Sequence, residues 1–104
     1  MAGRPLKLGS LELPTTPTVI YTVPTGKYTI VTMITAAVQI KKKTSVWIGS
    51  EIDDDMVWHD VEPAEAISQM ESASWVMEVG DEIIAECEAV DSVTLRFDGI
   101  EIDL

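Results

Sequence analysis

Tyr21-Thr22-Val23-Pro24-Thr25-Gly26-Lys27-Tyr28-Thr29-Ile30-Val31-Thr32 is the stretch that decides the fold. Pro24 presets φ for the second position of a β-turn, and Gly26 supplies the positive φ that lets the chain fold back. β-branched and aromatic residues lie on both sides, the types that suit a pleated, half-buried surface. The stretch reads as strand, tight turn, strand.

A first strand is expected over residues 18–23 and an unusually long second one over 27–40. The even positions of the second, Tyr28, Ile30, Thr32, Ile34, Ala36, Val38 and Ile40, are mostly apolar and are expected to face the core. Val31 and Met33 make part of the odd face apolar as well. Lys41-Lys42-Lys43 reads as a solvated turn. Further strands are expected over residues 44–50, 56–61, 75–79 and 82–89. The last has Ile83, Ala85, Cys87 and Ala89 on one face. Val93, Leu95 and Phe97 alternate next, Asp98-Gly99 permits a bulge or bend, and Ile100, Ile102 and Leu104 close the chain. Residues 63–70 admit a short helix, because Pro63 suits a first helical position, or a strand. Seven or eight antiparallel strands in so short a chain define an all-β class: a single small, jelly-roll-like β-sandwich over residues 18–104.

Residues 1–17 read as an extended arm. Pro5, Pro14 and Pro17 disfavour a helix or a central strand. Leu6, Leu8, Leu11 and Leu13 are too apolar for a solvated tail, so they become candidate partner contacts. Trp47, on the opposite side of its strand from Val46 and Ile48, joins them as a candidate interface anchor, with a second buried layer as the competing reading.

The 104 residues are enough for one core, and 46% are apolar. No run approaches the length of a membrane helix, and the N-terminus lacks an apolar signal region, so a chain made in the cytosol and not bound to membrane is expected. One cysteine, Cys87, permits no internal disulfide. The net charge of −11 is uneven. Residues 1–43 carry six Lys and Arg against one Glu, whereas residues 44–104 carry one Arg against seventeen acids. Such a body repels phosphate backbones and disfavours nucleic-acid binding.

Catalytic chemistry has little to build on. His59 is the only histidine, and Cys87 falls on a core-facing register where a thiol acts as a small hydrophobe. Gly26-Lys27 lacks the glycine five residues earlier that a phosphate loop requires. Glu51, Asp53, Asp54, Asp55 and Asp60 offer oxygen ligands for Ca²⁺ but not at EF-hand spacing, so a solvated acidic loop is the simpler reading. No enzyme, cofactor or metal site is expected.

Three segments carry a family resemblance: Tyr21 to Thr32, Ser45-Val46-Trp47-Ile48, and Val79-Gly80-Asp81-Glu82-Ile83. With Val93-Thr94-Leu95-Arg96-Phe97-Asp98-Gly99-Ile100-Glu101 as a closing hairpin, the chain resembles the small β-sandwich modules of tailed-phage virions over nearly its whole length. The resemblance implies a non-enzymatic structural protein located in the virion. The leading form is a capsid decoration (cement) protein, trimeric, bound to the major capsid protein or other virion subunits. A tail, baseplate or fibre module and a carbohydrate-binding sandwich recognising a host surface are the alternatives. The Lys41–Lys43 run and the acidic loop with Trp58 and His59 depart from the pattern.

Overall fold

Period-two alternation and closely spaced turn residues give strands throughout. The computed structural model describes residues 3–52, 55–63 and 69–104, with side chains left undescribed at 3–5 and 69–73. Among the described residues every extended element is a β-strand: β1 (Gly3–Glu12), β2 (Thr18–Thr22), β3 (Lys27–Val38), β4 (Thr44–Gly49), β5 (Met56–Val61), β6 (Gln69–Met77), β7 (Glu82–Cys87) and β8 (Val93–Asp103).

Pairing follows a simple rule. β1 pairs with β8, β2 with β7, β3 with β6 and β4 with β5, all antiparallel. The two halves of the chain therefore run against each other like one long hairpin whose tip lies between β4 and β5. Pairing of β8 with β3 and of β7 with β4 rolls that hairpin into two four-stranded sheets, ordered β1-β8-β3-β6 and β2-β7-β4-β5. This is the double-sheet jelly roll, in which two Greek keys face each other across one core.

The inner faces supply that core. Val31, Ile34, Ala36, Leu95 and Phe97 from the first sheet, with no measurable exposure, meet Val46, Ile83 and Ala85 from the second. Turns enter the structure where the sequence places them. Gly26 (φ 81°) follows Pro24 between β2 and β3, and Gly80 (φ 87°) sits between β6 and β7.

Three expectations are corrected. The first is the arm. Residues 3–12 are β1, the edge strand beside β8, with Leu11 opposite Leu95 and Leu6 opposite Gly99. Pro5 is tolerated because it lies on an edge, where an amide facing away from the sheet needs no ladder partner. The boundary between an arm at 1–17 and a sandwich at 18–104 therefore does not hold for this strand.

The second correction is the facing of β3. Thr29 and Val31 face inward, then Ile34, Ala36 and Val38 do, because a bulge between Val31 and Met33 inserts one residue opposite β8. An extra residue shifts the inward set from odd to even positions. Tyr28 and Ile30 consequently face outward. Third, the expected closing hairpin is one continuous strand: β8 runs through Asp98-Gly99 to Asp103. Gly99 is required there, because a Cβ would collide with the Ile30 carbonyl oxygen and lie 2.9 Å from Leu8 Cδ1.

Of the helix-or-strand segment at 63–70, Gln69 and Met70 begin β6, and residues 64–68 lie outside the described residues.

Candidate interaction surface

The residues singled out as partner contacts are consumed by the fold. Leu8 and Leu13 are buried in the core, at 9% and 1% exposure, and Leu6 packs against it. Leu11 is half-buried opposite Leu95. Trp47 is 6% exposed, between Ile84 and Met56 in the cross-strand register, so it forms part of a second buried layer on the outer side of β4 and β7. These five side chains do not form a free contact surface. Trp58 is buried and Trp75 packs half-buried on the core.

The candidate catalytic groups are apart. Cys87 is buried, with Thr44 Oγ1 3.8 Å from its sulfur. His59 is on β5, separated from β7 by β4, and its Nδ1 lies 2.9 Å from Met56 Sδ. In the acidic loop, Asp55 is a structural clamp. Its carboxylate accepts hydrogen bonds from the Ser50 amide and the Ser50 hydroxyl, both at 2.8 Å. It occupies the space where a Cβ on Gly49 (φ 127°) would stand. Asp53 and Asp54 lie outside the described residues. Among the described residues no group of three His, Cys, Asp or Glu is placed to hold a metal ion.

A different surface emerges from the bulge in β3. The outer face of the β1-β8-β3-β6 sheet carries Ile100 opposite Ile30, and Ile30 opposite Val76, in one cross-strand row. Tyr28 and Ile102 form the next row. Val76 is 66% exposed, Leu104 73% and Val79 46%. Beside them a groove of about 480 Å³ is lined by Lys27, Tyr28, Val76, Glu78, Val79 and Leu104. The apolar residues are contiguous along three strands, which distinguishes this face from scattered single exposures such as Val90.

Charges of both signs surround this face, and Glu78 lines the groove. Lys27 pairs with Asp103 at the end of the sheet, and Arg96 pairs with Asp98 at 3.0 Å. Lys7 stands opposite Asp98 on the neighbouring strand. No Lys or Arg occurs between Lys43 and Arg96, so β4, β5, β6 and β7 carry no basic side chain apart from His59. Burial, with the negative charges of Glu51 and Asp60, holds the Glu86 carboxyl above the usual carboxylate range there.

At the groove end of the sandwich a polar cluster ties the two sheets together. The Tyr21 hydroxyl donates to Glu101 Oε2 at 2.7 Å and lies 2.7 Å from Thr29 Oγ1. With the phenol proton directed to Glu101, the Thr29 hydroxyl is the donor in the second bond. Burial first, then Glu101, pushes the Tyr21 phenol up to about 12, against a partial lowering by Thr29. At the opposite end, Glu12 is held above the usual range by a hydrogen bond and repulsion from Asp91. Lys41 reaches Glu62 at 3.9 Å, and Glu88 accepts from the Lys43 amide, so the lysine run is anchored to acidic neighbours.

No protein-family model matches the chain, and a search of curated proteins finds no matching relative.

Sequence reasoning missed the outer face because it assigned Tyr28 and Ile30 to the core. One signal was present. Apolar residues on both parities of β3, at Tyr28, Ile30, Val31, Met33 and Ile34, mean either two covered faces or a change of facing.

Proposed function

We propose that this chain is a non-enzymatic structural protein of a tailed-phage particle, a decoration protein that binds the assembled shell as a homo-oligomer, with a trimer as the leading form. The observation that carries the reading is a contiguous apolar outer face on one sheet of a jelly roll, an architecture used by viral shell proteins among others. The resemblance of the Tyr21–Thr32, Ser45–Ile48 and Val79–Ile83 segments to virion modules supplies the context. The mechanism is mechanical. A protein that binds only the assembled shell lowers the free energy of that state and resists dissociation by mass action. The binding is carried by the sheet face, with residues 3–12 held in the sandwich as β1.

Buried Trp47 and Trp58 and the core-packed Trp75 favour this reading over a carbohydrate-binding sandwich, which needs exposed aromatic platforms. The test is quantitative mass spectrometry of phage particles banded from the encoding host. The expected result is the chain present at a copy number on the scale of the shell subunit. A few copies per particle would shift the assignment to a tail or fibre module, and absence from the particles would overturn the reading.

A further inference from the structure

We infer that Met56 and His59 form a binding site for a soft, closed-shell metal cation such as Cu(I), held between the Met56 thioether sulfur and His59 Nδ1 on the outer side of β5. This goes beyond the structural role proposed above and does not depend on it.

A β-bulge brings the two residues together. Residues three apart in a regular strand point to opposite faces. In β5, Trp58 pairs with Val46 and Met56 with Trp47, so Val57 is an extra residue between them. That extra residue returns His59 to the side of Met56. Burial follows the same facing: Trp58 lies in the core, Met56 is half-buried opposite Trp47, and His59 is exposed. The outcome is a contact of 2.9 Å between Met56 Sδ and His59 Nδ1.

The far side of the ring decides which atoms are free to bind. His59 Nε2 lies 3.8 Å from Asp60 Oδ2. Asp60 is itself held by buried Ser45, whose hydroxyl accepts from the Asp60 amide at 3.2 Å and donates to Oδ1 at 3.4 Å. Oδ2 is left to face the imidazole. A neutral imidazole has one N–H, and a carboxylate is a far better acceptor than a thioether. The proton therefore belongs on Nε2, the arrangement in which a carboxylate orients a metal-binding histidine. Two lone-pair donors, Nδ1 and Sδ, then face each other at contact distance, and a cation bound to both relieves that opposition.

The donor types select the metal. A thioether is a soft ligand that suits Cu(I), and imidazole accepts the same metal, whereas Ca²⁺ and Mg²⁺ require oxygen. Bonds of about 2.0 Å to nitrogen and about 2.3 Å to sulfur, as for Zn²⁺, span about 3 Å when they meet at a right angle. The unbranched methionine side chain can swing to open that angle. With 76% of the imidazole side chain exposed, a cation has free access.

Anaerobic titration of the purified full chain with Cu(I), in competition with a chromogenic Cu(I) chelator, tests the proposal. Ag(I), which keeps its oxidation state, serves as the probe for NMR. One cation per chain is expected, with shifts in the ring signals of the single histidine and in one methionine methyl. Met56→Leu and His59→Gln are each expected to weaken binding at least tenfold. The one thiol, Cys87, is buried, so Cys87→Ala is expected to bind as the wild type does. Ca²⁺ at the same concentration is expected to leave the ring signals in place. Circular dichroism checks that the variants fold. Absence of a complex with either soft cation overturns the proposal. So does binding indifferent to both Met56→Leu and His59→Gln, binding that disappears in folded Cys87→Ala, or ring signals moved as far by Ca²⁺.

Discussion

Replacing Leu13 by Ala tests whether the segment between β1 and β2 is built into the core or is part of a free arm. Leu13 is 1% exposed, its amide donates to the Val93 carbonyl at 2.9 Å, and it belongs to the same core cluster as Leu95 and Phe97. Truncating a buried leucine removes its transfer free energy and leaves a cavity, for a total cost of about 2–5 kcal/mol. The site lies just beyond the end of β1, where the chain can partly collapse, so about 3 kcal/mol is the expected value. In a domain of this size each kcal/mol lowers Tm by about 4–8 °C, which predicts a fall of about 12–24 °C. Urea unfolding followed by tryptophan fluorescence gives an independent reading. The midpoint should fall by about 1–3 M, with the slope unchanged if the compactness of both states is preserved. Lys7→Ala, at an exposed position on β1, should change stability by less than about 0.5 kcal/mol. If Leu13→Ala were as neutral as Lys7→Ala, the chain leaving β1 would not be seated in the core as described.

Other consequences follow from specific contacts. Gly99→Ala should destabilise by about 1–3 kcal/mol, because its Cβ meets the Ile30 carbonyl oxygen and Leu8; thermal melts matching wild type would contradict the close approach of β8 to β3. The Tyr21 phenol is raised to about 12, so its neutral form is favoured by the fold. That contribution is present below the ordinary tyrosine range and is lost as pH rises through about 12. The difference between the 295 nm titrations of wild type and Tyr21→Phe isolates this group, and a midpoint near 10 would refute the part-buried setting described for its hydroxyl. Glu86 is likewise raised, so its ionisation opposes folding as pH climbs past the usual carboxylate range. Glu86→Gln should therefore raise Tm at pH 7 and lose that advantage in acid; an equal gain at both pH values would point to another cause. Buried Cys87 should react with a thiol reagent only after unfolding, and rapid native labelling would displace it from the core.

The legible parts of this fold were those fixed by local chemistry. Val23-Pro24-Thr25-Gly26 and Gly80-Asp81 can hardly be read other than as turns, and the alternation in β7 and β8 has one sensible facing. What escaped reading was set by single residues with long-range consequences. An extra residue in β3 reversed the facing of Tyr28 and Ile30, and no local propensity marks it. β1 contains a second such shift, between Lys7 and Gly9. It explains why Leu6 and Leu8 are even while Leu11 and Leu13 are odd, yet all four serve the inner side, and why the segment looked like an irregular arm. The candidate surface was illegible for the same reason, since simple alternation puts Tyr28 and Ile30 in the interior. Trp47 shows a further limit: alternation told which side of β4 it occupies but not that this side is also covered.

Thiol accessibility at two matched positions reports whether the outer face of the β1-β8-β3-β6 sheet becomes covered on assembly. Val76→Cys places a reporter on the proposed contact face, and Val90→Cys places one at similar exposure on the opposite end, against a single native cysteine that is buried. Labelling rates are compared between dilute chain and the fully assembled state, whether concentrated protein or intact particles. At least tenfold protection of Val76→Cys on assembly, with Val90→Cys unchanged, is the predicted result. Equal reactivity of Val76→Cys in both states, or protection of Val90→Cys instead, would contradict it.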